Sequence, residues 1–91
     1  METFFQTQTH ILTIRLYANL KEKAGTDCLA LEAPITFTVN ELKARLKHDF
    51  PSMAFQLNKV VMTVNGGQVF ISDEVLPLNA EVTILPPFGG G

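Results

Sequence analysis

The chain has no tryptophan, one tyrosine, one cysteine and two histidines among 91 residues. Each scarcity excludes something. A lone cysteine, Cys28, cannot form an internal disulfide and fits a reducing compartment. Its expected role is a small apolar residue in a strand. His10 and His48 stand far apart, with no second cysteine and no HExxH spacing, so no metal site is expected. Charged residues are 18% and the net charge is −2, which leaves no basic face of the kind nucleic acid requires. The densest cationic stretch is Lys43, Arg45 and Lys47. It is interleaved with Glu41 and Asp49 and reads as the solvated side of a helix. No apolar run approaches the length of a membrane span. Met1 to Thr9 lacks the basic start and apolar centre of a signal peptide. Polar, with Phe4-Phe5 inserted, it is expected to be a loose extension over residues 1–9. The expected location is the cytoplasm.

What is present is apolar content. Hydrophobic residues are 46%, enough for one core, and the length fits one domain near the small end of the self-sufficient range. His10 to Tyr17 alternates, with Leu12, Ile14 and Leu16 on the more apolar side, and predicts a strand. Ala18 to Ala24 is built of good helix formers and stops at Gly25, predicting a short helix. Thr26 to Glu32 predicts a second strand with Leu29 and Leu31 toward the core. The reversal at Gly25-Thr26 makes the two strands neighbours.

Thr38-Val39-Asn40-Glu41 is a capping-box signature, flanked by Phe37 and Leu42 at the staple positions. The main helix then spans Val39 to Phe50, with Val39, Leu42, Leu46 and Phe50 as its apolar stripe and Glu41 and Arg45 as an exposed i,i+4 pair. Pro51 to Asn58 reads as a crossing loop plugged by Met53, Phe55 and Leu57. Lys59 to Val64 predicts a third strand and Asn65-Gly66-Gly67 a tight turn. Gln68 to Ile71 is a short strand, Ser72 to Asn79 an irregular connection, and Ala80 to Leu85 the last strand. A mixed sheet of about five strands with one main helix across one face is a two-layer α+β domain, here residues 10–85.

Pro86-Pro87-Phe88-Gly89-Gly90-Gly91 follows. The prolines end the strand and stiffen the exit, and three glycines have nothing to bury. The segment, residues 86–91, reads either as a frayed terminus or as a slim tail that enters a narrow site on another protein.

Four runs carry a family resemblance. They are Tyr17-Ala18-Asn19-Leu20-Lys21-Glu22-Lys23-Ala24-Gly25, Thr38-Val39-Asn40-Glu41-Leu42, Val64-Asn65-Gly66, and Glu81-Val82 leading into Pro86-Pro87-Phe88-Gly89-Gly90-Gly91. In this order and spacing the chain resembles the MoaD/ThiS-like sulfur carriers of ubiquitin-like β-grasp fold, most of all the molybdopterin synthase small subunits. It departs from the family at Leu78-Asn79-Ala80, where Asp-Gly-Asp is usual, at Lys21, where arginine is common, and at Phe88, where a smaller apolar residue is usual. Asn79 can still take the left-handed turn.

The resemblance implies a carrier and not an enzyme in its own right. An E1-like adenylyltransferase would use ATP to adenylate the Gly91 carboxylate. Sulfur from a persulfide donor would then replace AMP, giving a thiocarboxylate. The sulfur would be delivered within a catalytic partner, the molybdopterin synthase large subunit, to a pterin precursor in molybdenum cofactor biosynthesis. No cofactor is expected to be bound by the chain itself. Gly91 and Gly90 are the reactive end, and Pro86, Pro87, Phe88 and Gly89 the rest of the tail. Tyr17, Leu85, Phe88 and Val69 are the expected partner-binding patch. Two other readings use the same activation: a carrier serving thiamine or cysteine synthesis, and a ubiquitin-like modifier joined to lysines of target proteins.

Overall fold

A computed structural model describes residues 8–86. The elements run β1 (Thr9–Leu16), α1 (Ala18–Ala24), β2 (Cys28–Pro34), α2 (Val39–Asp49), a 3-10 turn (Pro51–Met53), α3 (Ala54–Leu57), β3 (Val61–Val64), β4 (Gln68–Phe70) and β5 (Glu81–Leu85). The five strands form one sheet in the order β2-β1-β5-β3-β4. Only the central pair, β1 with β5, is parallel; the other pairs are antiparallel. This is the expected α+β, ubiquitin-like β-grasp, with the main helix on one face and the short helix after the first strand.

Strand alternation builds the core. Leu12, Ile14 and Leu16 of β1, Met62 and Val64 of β3, and Val82 and Ile84 of β5 are buried on the helix side. Val39, Leu42 and Leu46 of α2 meet them, with Phe50 packed at the edge. The capping box forms as its residues dictate. Thr38 Oγ1 accepts from Glu41 N–H at 3.2 Å, and the Glu41 carboxylate accepts from Thr38 N–H at 2.9 Å. The β4–β5 connection supplies two more acceptors, the carbonyls of Glu74 and Ser72, to Val39 and Asn40 N–H. Those bonds hold an otherwise irregular segment against the helix start, and they bury Leu76.

Two asparagines in the left-handed region fix the start of β5. Asn79 (φ 51°) accepts from Ile11 N–H through Oδ1 and donates its own N–H to Nδ1 of buried His10 at 2.9 Å. Asn65 (φ 52°), in the β3–β4 turn, accepts from Glu81 N–H at 2.9 Å. A short side chain able to bond nearby backbone is what makes asparagine tolerable there.

The structure corrects several sequence expectations. Glu41 does not pair with Arg45, because the capping box occupies its carboxylate; Arg45 turns to Asp49 instead, at 2.9 Å and again i,i+4. Residues 51–57 are helical and not a loop, so periodicity there is near 3.6. Met53 and Leu57 share the buried side, while Phe55 is 67% exposed with the Lys59 ammonium over its ring. Lys59 closes the end of α3 by donating its N–H to the Gln56 carbonyl, so β3 starts at Val61. The second strand starts at Cys28 because the Thr26 hydroxyl bonds both the N–H and the C=O of Cys28 and prolongs the turn. Cys28 is exposed and not packed in the core.

Candidate functional site

The residues before the tail lie in the best-anchored part of the sheet. β5 is flanked on both sides by paired strands, so its C-terminal end is held by β1 and β3 together. Leu16 pairs with Ile84 and Val61 with Leu85. One step further along the parallel pair, Tyr17 comes level with Leu85. One step beyond the β3–β4 pairing, Ile71 comes level with Val61. Tyr17, Leu85, Val61 and Ile71 therefore form a row across the face of the sheet turned away from α2. Tyr17 is 48% exposed, Val61 43% and Ile71 67%, and Leu85 is half-buried among them. Pro86 continues directly from this row.

The next row is mixed. Arg15 pairs with Thr83, Thr83 with Thr63, and Thr63 with Val69, which is 56% exposed. Arg15 forms an ion pair with Glu81 on the same face. The Glu81 hydrogen bond, and then its charge, hold the Arg15 guanidinium even more firmly protonated than usual. The cation is thus neutralised beside an apolar row.

Of the expected patch, Tyr17 and Leu85 are brought together. Val69 sits one row away, on the same face. Pro87, Phe88, Gly89, Gly90 and Gly91 lie outside the described residues. The sequence reading missed Val61 and Ile71. Alternation could have found both, since burial of Met62 and Val64 turns Val61 outward, and Phe70 packing on the core does the same for Ile71.

A shallow cavity of about 190 Å3 adjoins Tyr17, lined by Arg15, Leu16, Tyr17, Ala18, Lys21 and Asp27. Ala18 opens α1 at φ 54°, a conformation costly for a residue with a Cβ. Here the chain turns sharply from β1 into α1, which leaves Tyr17 projecting at the corner. Among the described residues no group of three or more His, Cys, Asp or Glu could hold a metal ion. No described helix is long and apolar enough to cross a membrane. The arrangement offers no nucleophile–base pair; what it offers is an exposed apolar row leading to the start of the tail.

The ThiS family model matches residues 14–91. No curated protein matches the chain by sequence. Among solved structures, the HVO 2177 protein of Haloferax volcanii superposes with a TM-score of 0.81 at 20% identity, covering 100% of this chain and 94% of its own. SAMP1 from the same organism gives 0.76 at 20% identity, covering 89% and 99%. A protein described as molybdopterin converting factor subunit 1, from Pyrococcus furiosus, gives 0.76 at 22% identity, covering 86% and 98%. At these identities the likeness shows a shared fold.

Proposed function

The chain belongs to the ThiS family, the MoaD/ThiS-like sulfur carriers, and from that premise we propose that it carries sulfur as a thiocarboxylate on Gly91. The observation that carries the reading is the reach of the family match, through the glycines to residue 91. A carboxylate is a poor electrophile. Adenylation by an E1-like enzyme with ATP joins it to AMP, a good leaving group, and expels pyrophosphate. The outer sulfur of a persulfide donor then attacks the acyl-adenylate and displaces AMP. A second thiol, on the donor or the activating enzyme, breaks the S–S bond of the resulting acyl disulfide, becoming a disulfide with the donor and releasing the thiocarboxylate. The resulting thiocarboxylate sulfur is a soft nucleophile, and a partner enzyme supplies the groups that direct it to an acceptor.

The tail chemistry follows from residue type. Gly90 and Gly91 leave the terminal carbonyl unshielded in a confined channel. Pro86 and Pro87 lower the entropy lost when the tail docks. In this reading the exposed row of Tyr17, Leu85, Val61 and Ile71, with Val69, seats the partner, and Phe88 of the tail is the further apolar residue offered to it. The favoured partner is a molybdopterin synthase large subunit, with a pterin precursor as acceptor. The support is the Tyr17–Gly25 run and the protein of that description among the structural relatives.

A second reading has its own support, because SAMP1, a small archaeal modifier protein, shares the fold. In that reading the activated Gly91 carbonyl passes to a lysine amine of a target protein. Both readings need the same tail. Incubation with an E1-like enzyme, ATP, a persulfide donor and a thiol reductant tests the sulfur-carrier reading. The intact chain gains sulfur in place of one oxygen, Gly91→Ala slows the gain, and deletion of Gly90-Gly91 abolishes it. Thiocarboxylate formation on the deleted chain at the wild-type rate would sink the proposal.

A further inference from the structure

Among the described residues β2 is one open edge of the sheet, and its backbone groups can be accounted for one by one. Leu16 donates its N–H to the Asp27 carbonyl, and Ile35 donates to the Gln8 carbonyl, at the two ends of the β1–β2 ladder. Antiparallel alternation between those ends turns the N–H and C=O of Leu29, Leu31 and Ala33 toward β1. Those of Cys28, Ala30, Glu32 and Pro34 face outward. The outward groups at both ends are already used. The Thr26 hydroxyl satisfies the N–H and C=O of Cys28. Pro34 has no N–H, and its C=O accepts from Phe37. Among the described residues, what remains is the N–H and C=O of Ala30 and of Glu32.

We propose that this short window pairs with the same window of a second copy, joining two sheets through antiparallel β2 strands. The window is complementary to itself in one register. With Leu31 on the two-fold axis, Ala30 of each copy faces Glu32 of the other, and each such pair exchanges both of its hydrogen bonds. Every open group is then satisfied. The same register sets Cys28 against Pro34 of the second copy, so the two blunted ends meet and neither is left with an unmet donor. Shifting it by two residues in either direction sets an open pair against a capped or donor-less end.

Side chains agree with this register. On the outer face small Ala30 lies opposite Glu32 of the second copy, so no two carboxylates are directly opposed. The two Glu32 side chains fall on the diagonal, roughly 8 Å apart. On the helix side, Leu29 faces Ala33 of the second copy. Leu29 also borders a groove of about 210 Å3 between β2 and α2, lined by Leu31, Leu46 and Phe50 with Arg45 and Asp49 at its rim. Pairing of the strands closes the open side of that groove. The β5 end and the exposed row beside it lie on other strands, so a pair of copies keeps both tails.

Sedimentation of the full chain over a concentration series to roughly 1 mM tests the contact. A monomer–dimer equilibrium is expected, strengthened by salt because the Glu32 carboxylates repel. Ala30→Pro removes an N–H that the monomer does not use. It raises the dissociation constant at least roughly tenfold while the circular dichroism of the fold persists. A second measurement does not depend on that variant. In the proposed register Cys28 and residue 34 of the second copy come within disulfide reach, with Cα atoms roughly 5.5 Å apart. Within one copy they are roughly 20 Å apart. Pro34→Cys therefore gives an oxidised dimer in which cleavage after glutamate, which cuts at Glu32 between the two positions, recovers the Cys28 peptide joined to the peptide of the introduced thiol, and wild type gives none. A wild-type chain that stays monomeric throughout, or a Pro34→Cys dimer linked through two copies of Cys28, would overturn the proposal. So would a monomer whose β2 edge gains hydrogen-exchange protection only from an unrelated extended peptide.

Discussion

Leu85 stands where the sheet ends and the tail begins. Its neighbours Ile84 and Val82 point into the core, so Leu85 is free to serve a partner without holding the fold. Leu85→Asp is expected to weaken binding to the activating enzyme or acceptor partner by roughly tenfold or more, since a charge would enter an apolar contact. The melting temperature should change little. Equal affinity of mutant and wild type, measured by calorimetric titration, would remove Leu85 from the docking patch. The sequence places Tyr17 in this patch by resemblance and Leu85 by strand alternation, and the same alternation turns Val61 and Ile71 outward. Both look like ordinary strand hydrophobics in the chain. Only the register of four strands shows that they extend the same exposed row.

At the scale of elements, α2 was the most legible part of the sequence. Its stripe and capping box specify the same helix, and both form as read, with Phe37 and Phe50 packed against the core that holds Leu42. Thr38→Ala leaves Glu41 N–H without its acceptor and should cost about 1 kcal/mol of stability in denaturant unfolding. At the other end of the helix, His48 and then Arg45 hydrogen-bond the Asp49 carboxylate and hold it below its ordinary value of 3.8. A carboxyl depressed in the folded state stabilises above its unfolded value. That contribution is lost as pH falls through the folded one. Unfolding at neutral pH and below 3.8 should show a shallower loss of stability in Asp49→Asn than in wild type. The chain from 51 to 57 was less legible. Pro51 opens a new helical turn instead of a loop, since proline suits a first helical position as well as a break. Phe55 consequently points to solvent, on the side opposite Met53 and Leu57. β2 starts at Cys28 and not at Thr26 because one hydroxyl, on Thr26, bonds the Cys28 backbone and prolongs the turn. A single side-chain bond of that kind leaves no periodic trace in the sequence.

At the scale of the whole molecule, residues 8–86 form a sheet-and-helix body whose central strand β5 leads into residues 86–91 of the sequence. Parallel pairing of β1 with β5 brings the Tyr17 corner and the end of β5 to one side of the sheet. Residues far apart in the chain thereby share one exposed face. The fold and family were legible because periodicity, capping and four motif runs agree. The acceptor was not, because in the proposed reading the chain supplies the sulfur and the partner supplies the site that chooses its target. The central claim is that Gly91 carries sulfur. Intact-mass analysis of the chain isolated from its own cells, with fragmentation of the C-terminal peptide, tests it most directly. The account predicts a population in which one oxygen of the Gly91 carboxylate is replaced by sulfur. A terminus that carries only oxygen, in cells actively making sulfur-containing cofactors, or a terminus found solely in amide linkage to lysines, would contradict it.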